Sequence, residues 1–359
     1  MAISPDILEK LREEGPAGLD LGWLDVDNST GVRLQPGRRG LTLDEIEIGA
    51  YGEVPPTTTN ASYKPRGAVA RPDAPRTGLY YTDRDDVWAD NVRLLYEEAI
   101  QRQWSSATDI PWETIEPLPD DIERAMCQMC TFLTEVEFIA GDAPGQWLPR
   151  INPDYHEVKL FLLTQINDEA RHLDVFRKRA LANGGGLLEE SVNGPALRVI
   201  LDAQDFTEMS SIMHVFAEGF VQSLFRTGEL VAQNEAEKRI YRLCAQDESR
   251  HVAFGVMHLK HIMETQPWRR EEIHHYLDRI EVPMVFDFND PPAPTSFDEA
   301  LMILAGGGRK GVDEGFKKLM AIRKRQVNEY MHRLEVAGLG DRRERMHPFF
   351  RPFLDPPRN

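Results

Sequence analysis

The sequence contains one five-residue phrase, Asp-Glu-x-Arg-His, twice: at Asp168–His172 and again at Asp247–His251. Both copies lie in long apolar-periodic stretches that hold no proline and little glycine, so both are predicted to be helical. Residues three apart share one face of a helix. Each copy therefore presents a carboxylate and an imidazole side by side, namely Glu169 with His172 and Glu248 with His251.

A carboxylate and an imidazole from each of two helices supply half of a dimetal site in a four-helix bundle. Such a site also needs one Glu from each of two other helices. Upstream of the first phrase, Glu137 lies on the apolar stripe of its helix, three residues before Ala140, and Glu135 lies off it. A carboxylate on a core face is costly unless it is paired or binds metal. We therefore favour Glu137 as a ligand, with Glu135 as the alternative.

The helix upstream of the second phrase carries Glu218 in apolar surroundings, with His214 four residues earlier on the same face. His214 is either a satisfied core histidine or a group beside the metals or the substrate. The predicted metal ligands are four carboxylates and two imidazoles: Glu137, Glu169, His172, Glu218, Glu248 and His251. Four negative charges balance two divalent cations, which explains how six polar groups can be buried together.

The residues around the predicted ligands fit the same interpretation. Asp168 and Asp247 are placed to accept the free ring N–H of a ligand histidine on the facing helix. Arg171 and Arg250 could pair with these aspartates. Imidazole ligands favour iron or manganese over magnesium or calcium.

Three segments are predicted from the distribution of turn residues and apolar periodicity. Residues 1–81 are dense in Pro, Gly and Thr and are predicted to form an irregular arm with one short helix near 4–14. Residues 82–265 hold the predicted dimetal-binding bundle, and residues 266–359 a helical extension packed on it. The predicted fold class is all-α, because no strand pattern is convincing. Helices are expected at 85–106, 121–140, 154–182, 205–233, 235–264, 271–280, 297–304 and 313–334.

Composition narrows the range of partners and compartments. The net charge of -17 argues against nucleic acid or an anionic membrane surface as a partner. No apolar run approaches the ~18 residues of a membrane span, and the first residues do not read as a secretory signal. Three cysteines make no disulfide framework, so a cytoplasmic location is predicted. Cys127 and Cys130 form a lone CxxC, which we interpret as two buried helix residues.

The pattern resembles the ferritin-like di-iron carboxylate superfamily over roughly residues 85–265. Within it, the chain is similar to the ribonucleotide reductase small subunit, its ligand-binding oxidase relatives and the bacterial multicomponent monooxygenases. The monooxygenase hydroxylases carry Asp-Glu-x-Arg-His in both halves. Their first ligand lies in a Glu-aromatic-x-Ala phrase, which here is Glu137–Ala140. The resemblance implies a ferritin-like four-helix bundle with additional helices and two iron ions, Fe/Fe or Mn/Fe.

Several positions depart from the patterns of these relatives. Phe176 stands where radical-type reductase subunits have a tyrosine, which argues against nucleotide reduction. Ala140 and Met213 match the Val and Tyr that the ligand-binding oxidases cross-link, so that link cannot form. Gln222 stands where the monooxygenases have a Thr, and Cys244 where a family of amine N-oxygenases has a seventh ligand, a His.

The resemblance implies an oxygenase or oxidase that activates O2 and oxidises a small organic substrate in an apolar pocket. A separate reductase would supply electrons, and a homodimer is expected. Gln222 and His214 are the candidate catalytic residues. The candidate pocket residues are Phe138, Phe176, Met213, Phe220, Val221 and Gln222. The alternative functions are a ferroxidase or iron-binding protein, and a ligand-binding ferritin-like protein without monooxygenase turnover.

Overall fold

The computed structural model describes residues 21–27, 32–191, 194–281 and 294–356, together with Asp6 and Glu9. Over these residues the regular structure is helical, apart from isolated β-bridges that join 37 to 40 and 57 to 83. The all-α prediction is therefore confirmed. The helix predicted near 4–14 lies outside the described residues except for Asp6 and Glu9.

Eleven α-helices occur in the described part of the chain. They are α1 Val92–Gln101, α2 Asp120–Trp147, α3 His156–Ala182, α4 Gly194–Leu201, α5 Phe206–Ser210, α6 Glu218–Val231, α7 Glu235–Thr265, α8 Arg270–Glu281, α9 Ser296–Gly306, α10 Val312–Val336 and α11 Arg342–Arg345. A π-helical segment, Ser211–Ala217, joins α5 to α6 without a break.

Helices α2, α3, α6 and α7 form the central bundle, in which α2 packs on α3, α6 packs on α7 and α3 contacts α7. Two apolar clusters fill it. On α3, Phe161 belongs to one cluster and Phe176 to the other; on α7, Phe254 and Tyr241 divide in the same way. Both Asp-Glu-x-Arg-His phrases fall where one cluster ends and the other begins, so they form a polar layer across the middle of the bundle.

Several predicted helix limits are wrong. Helix α2 does not end at Ala140 but continues to Trp147 with Pro144 inside it, because Ala143, Pro144 and Trp147 are buried against the core. This packing outweighs the helix-breaking effect of the proline. Helix α1 is shorter than the predicted 85–106, α4 forms inside a predicted connection, and the π-helical segment interrupts the predicted helix 205–233. The other predicted helices agree within two residues at each end.

The additional elements pack around the bundle. Helices α9 and α10 pack on each other, α9 also on α2 and α10 on α6. Residues 32–81 of the arm lack α-helix and are joined to the start of α3, where Arg66 pairs with the buried Glu157 and Thr58 donates to Asp154 at 2.5 Å. Cys127 and Cys130 are buried inside α2, as interpreted from the sequence. None of the described helices is both long and apolar enough to cross a membrane.

Candidate metal centre

The six predicted ligands meet in the polar layer of the bundle, each no more than 4% exposed. Helix α2 contributes Glu137, and Glu218 is the first residue of α6. Helices α3 and α7 each contribute a glutamate and a histidine from the repeated phrase. The side chains form two groups of four that share Glu169 and Glu248, and in each group the ligand atoms lie within 4.8 Å of one another. This places two potential cation sites side by side.

The two shared glutamates lie between the two histidines. Glu169 presents Oε2 to His172 Nδ1 at 3.2 Å and Oε1 to His251 Nδ1 at 3.0 Å. Glu248 presents one oxygen to each Nδ1 atom, both at 3.3 Å. Of the two histidines, Glu137 approaches His172, at 3.7 Å, and Glu218 approaches His251, at 3.8 Å. With two cations present, Glu169 and Glu248 would lie between them, and each cation would have one further carboxylate and one imidazole of its own.

The outer nitrogens of both histidines are held by aspartates of the facing helix. His172 Nε2 donates to Asp247 at 3.2 Å, and His251 Nε2 donates to Asp168 at 3.3 Å. Arg250 donates to both aspartates, at 2.8 and 2.6 Å. These contacts leave both Nδ1 atoms directed at the carboxylates, which fixes the tautomer needed for metal binding. The sequence predicts this arrangement.

The buried donor atoms fit two divalent cations. Five of them, within the described part of the chain, have no hydrogen-bond partner: Glu137 Oε1, Glu169 Oε1 and Oε2, His172 Nδ1 and Glu218 Oε2. Burial raises the pKa of Glu137 and Glu218 well above the usual range. Burial also opposes ionisation of Glu169, but His251 and His172 hold its pKa below the usual range. Burying carboxylate oxygens without a hydrogen-bond partner costs free energy unless a cation binds them.

Glu135, the alternative first ligand, lies outside this cluster. Its two carboxylate oxygens accept from the backbone N–H of Ser191, at 2.8 and 3.1 Å. Glu135 therefore anchors the connection after α3, whereas the side chain of Glu137, two residues later, points into the bundle.

His214 acts on the cluster through a residue that sequence reasoning missed. Gln165 lies one turn before Glu169, and its Nε2 donates to Glu218 Oε1 at 2.8 Å. His214 Nε2 lies 3.1 Å from Gln165 Oε1, and Ser210 Oγ lies 2.9 Å from His214 Nδ1. Burial lowers the pKa of His214 to about 3, so the ring is neutral. The sequence did offer a signal for this role, because Gln165 lies four residues before Glu169 and therefore on the same face of α3.

The indole of Trp104 was also missed by sequence reasoning. Its Nε1 donates to Asp247 at 2.7 Å, and its ring stacks at 6.4 Å on His172. Arg171 donates to the same oxygen of Asp247 at 3.1 Å, and its guanidinium lies over the Trp104 ring. Trp104 belongs to the apolar stripe of the predicted helix 85–106, but in the structure it lies beyond Gln101, the last residue of α1. Its position therefore depends on tertiary packing.

An apolar cavity of about 480 Å³ adjoins the cluster and is bordered by Glu137, Glu218 and Glu248. Of the candidate pocket residues, Met213, Phe220 and Val221 line it. Three do not: Phe138 is 56% exposed, Phe176 packs against Phe225 and Tyr241, and Gln222 lines a second, more polar cavity. Gln222 donates to Ser249 at 2.8 Å instead. Neighbouring helix positions point about 100° apart, which sends Phe138 outward when Glu137 points inward.

The arrangement of helices in the described part of the chain is a ferritin-like helical bundle. Among solved structures, the chain is similar to an R2-like ligand-binding oxidase with aerobically reconstituted Mn/Fe cofactor, with a TM-score of 0.52 and 17% identity over 69% of this chain and 93% of that chain. A mutant of an R2-like ligand-binding oxidase with aerobically reconstituted Fe/Fe cofactor gives a TM-score of 0.53, again with 17% identity, over 69% and 94% of the two chains. No protein-family model and no curated protein sequence matches the chain.

Proposed function

We propose that this protein is a non-haem di-iron oxygenase or oxidase that uses O2 to oxidise a small organic molecule. The observation that carries the proposal is the cluster of six buried ligand side chains, with unpartnered oxygens, at the wall of an apolar cavity. Structurally similar oxidases contain Mn/Fe or Fe/Fe cofactors. The ligand set here suits either pair, because carboxylates and imidazoles bind both metals.

Two such metal ions would supply the redox chemistry that activates O2. The chain itself would hold and orient them. Glu169 and Glu248, which belong to both groups of ligands, would serve both ions, and Glu137 and Glu218 would each complete one site. The aspartates behind the histidines keep the Nδ1 atoms facing inward. The six side chains are no more than 4% exposed, so bulk water would have little access to the bound ions.

The cavity indicates a substrate that is largely apolar. Its walls include Phe132, Leu197 and Phe216, and its volume lies within the range of small-molecule pockets. Arg323 also borders the cavity, but its guanidinium is paired with Asp298 at 2.5 Å. A neutral, hydrophobic molecule would therefore bind beside Glu137 and Glu218 without leaving an unpaired charge. Electrons would come from a separate reductase, and a homodimer and a cytoplasmic location stay predictions.

The proposal is tested by loading metal-free protein with Fe²⁺ under anaerobic conditions and then admitting O2. We expect O2 uptake above that of free Fe²⁺, together with a mass change in an added or co-purified apolar molecule. The same protein with Glu218→Ala should show neither. O2 uptake with continuing iron oxidation but no organic product would support the ferroxidase alternative instead, and no uptake at all would contradict both.

A further inference from the structure

The two repeated phrases differ in the residue one turn before each bridging glutamate. Gln165 precedes Glu169 by four residues, and Cys244 precedes Glu248 by four. Residues four apart share a helix face, so these two side chains occupy matching positions in the two halves of the centre. Both are fully buried. One half therefore has an amide where the other has a thiol.

On the amide side, a chain of hydrogen bonds has only one consistent direction. Gln165 Nε2 donates to Glu218 Oε1 at 2.8 Å, and a carboxylate that binds a cation can only accept, so the amide keeps this orientation when metal is bound. Gln165 Oε1 must then accept, so the proton of His214 is on Nε2, 3.1 Å away. His214 Nδ1 in turn accepts from the hydroxyl of Ser210 at 2.9 Å. These hydrogen bonds hold Glu218 Oε1, whereas Oε2 has no hydrogen-bond partner within the described part of the protein.

On the thiol side, none of the described residues makes a comparable hydrogen bond to Glu137. The Cys244 thiol interacts with His172 and lies near Glu137. Glu137 Oε1 has no hydrogen-bond partner among the described residues, and its Oε2 faces His172 at 3.7 Å. A thiol is shorter than a glutamine side chain and is a weak donor. Glu137 is thus less constrained than Glu218, although both border the same cavity.

We propose that Gln165 is a positioning residue that makes the two cation sites inequivalent, so that the site of Glu218 and His251 fills before the site of Glu137 and His172. A ligand already held in its binding position loses less conformational freedom when the cation arrives. Hydrogen-bonded partners of metal ligands are typically worth about 10–100-fold in metal affinity. This proposal rests on the proposed function, because it requires the six side chains to hold two cations.

Titration of metal-free, full-length protein with Mn²⁺ tests the proposal by calorimetry and electron paramagnetic resonance. Wild-type protein should bind Mn²⁺ in two resolved steps. The first equivalent should give the spectrum of isolated Mn²⁺, and the second should convert it into that of a coupled pair. Gln165→Met removes the amide but keeps the side-chain length. We expect it to weaken the first step about 10–100-fold and to leave the second step unchanged.

Cys244→Ala is the matched control, because it alters the equivalent position of the other half and should leave the first step at wild-type affinity. Circular dichroism and thermal unfolding establish that each variant is folded. Ser210→Ala provides a second variant, since it removes the donor that fixes the His214 tautomer. We expect it to weaken the same first step by a smaller factor.

The possible failures are distinguishable. Two equal Mn²⁺ steps in wild-type protein, or an unchanged first step in folded Gln165→Met protein, would overturn the role of Gln165 and leave the proposed function standing. An equal loss in Cys244→Ala and Gln165→Met would also overturn it. Wild-type protein that bound neither Mn²⁺ nor Fe²⁺ would overturn the proposed function and this inference together.

Discussion

At the scale of single residues, Glu135 and Glu137 show how a two-residue step on a helix separates a ligand from a structural carboxylate. Glu137 is 2% exposed within the cluster, whereas Glu135 accepts from the backbone of Ser191. We expect Glu137→Ala to lower bound iron from two ions per chain to one or none, because one site loses its terminal carboxylate. Glu135→Ala is the control and should retain both ions. Elemental analysis of purified protein measures this, and iron loss in Glu135→Ala alone would contradict the assignment.

The protonation of the ligands predicts how metal binding depends on pH. Burial raises the pKa of Glu137 and Glu218 well above the usual range, which favours the protonated form of both groups in the metal-free protein. Burial would lower the pKa of His251, but Glu169 and Glu218 raise it well above the usual range. A cation must displace these protons, so affinity falls as pH falls. Calorimetry in two buffers of different ionisation enthalpy should show proton release on binding at pH 7, and no release would contradict these pKa directions.

His258 predicts an acid sensitivity that does not involve the metals. Its Nδ1 donates to the Trp88 carbonyl at 2.8 Å, and its Nε2 accepts from Thr207 at 3.1 Å. Burial lowers its pKa to about 3, whereas the unfolded chain takes up this proton near its ordinary pKa of about 6.5. Stability is therefore retained above pH 6.5 and lost as pH falls, by up to about 1.4 kcal/mol per pH unit.

Urea unfolding of metal-free protein at pH 7.5 and pH 5.5 measures this loss. We expect His258→Gln to be less stable than wild type at pH 7.5 but to lose less stability between the two pH values, because the substituted residue does not titrate. An identical pH dependence in the two proteins would show that His258 is not the responsible group.

At the scale of elements, the π-helical segment determines where Glu218 lies. Single π-helical turns occur often at functional sites. The carbonyls of Val215 and Gly219 accept from Arg333 of α10, at 3.4 and 2.7 Å. A Cβ atom at Gly219 would overlap the Arg333 guanidinium. The helical extension thus supports the segment from which the ligand projects.

Gly219→Ala tests this support. We expect a loss of about 1–3 kcal/mol in stability, because the buried guanidinium must move, together with a lower metal content. Gly145→Ala on α2 is the control, since its added Cβ meets nothing within 4 Å. That control should be neutral or slightly stabilised, by about 0.4–1 kcal/mol. Urea unfolding and elemental analysis measure both effects, and full metal content in Gly219→Ala would show that Arg333 does not position Glu218.

The helical elements and the candidate ligands can be predicted from local sequence patterns. Several other features of the structure depend on how the helices pack. The start of α7 at Glu235 agrees with the predicted helix 235–264, and Asn234 before it is of a residue type preferred at helix N-caps. The continuation of α2 through Pro144 depends on what that turn buries, which local pattern does not contain. The π-helical segment has no periodicity of its own in seven residues. Gln165 becomes significant only when α3 and α6 are placed together.

At the scale of the whole molecule, the arm is joined to the bundle by a buried ion pair. Arg66 donates to both oxygens of Glu157, and its side chain is 6% exposed while that of Glu157 is fully buried. Arg66 also donates to the backbone carbonyls of Tyr51 and Asp154, at 3.2 and 2.6 Å. One guanidinium therefore connects two parts of the arm to the beginning of α3, the helix that carries Glu169 and His172.

Arg66→Ala should release the arm and destabilise the protein by about 3 kcal/mol, the lower end for a broken buried ion pair, because Arg93 remains 3.4 Å from Glu157. Arg71→Ala is the matched control, since its side chain is 80% exposed and its ion pair is with Asp73, which is also exposed. Limited proteolysis should cut residues 32–81 faster in Arg66→Ala than in Arg71→Ala, and urea unfolding should separate the two variants. If metal content falls in Arg66→Ala while Arg71→Ala stays at wild type, the arm also maintains the position of α3. If Arg66→Ala matches the control in proteolysis and unfolding, other arm contacts hold the segment and this ion pair contributes little.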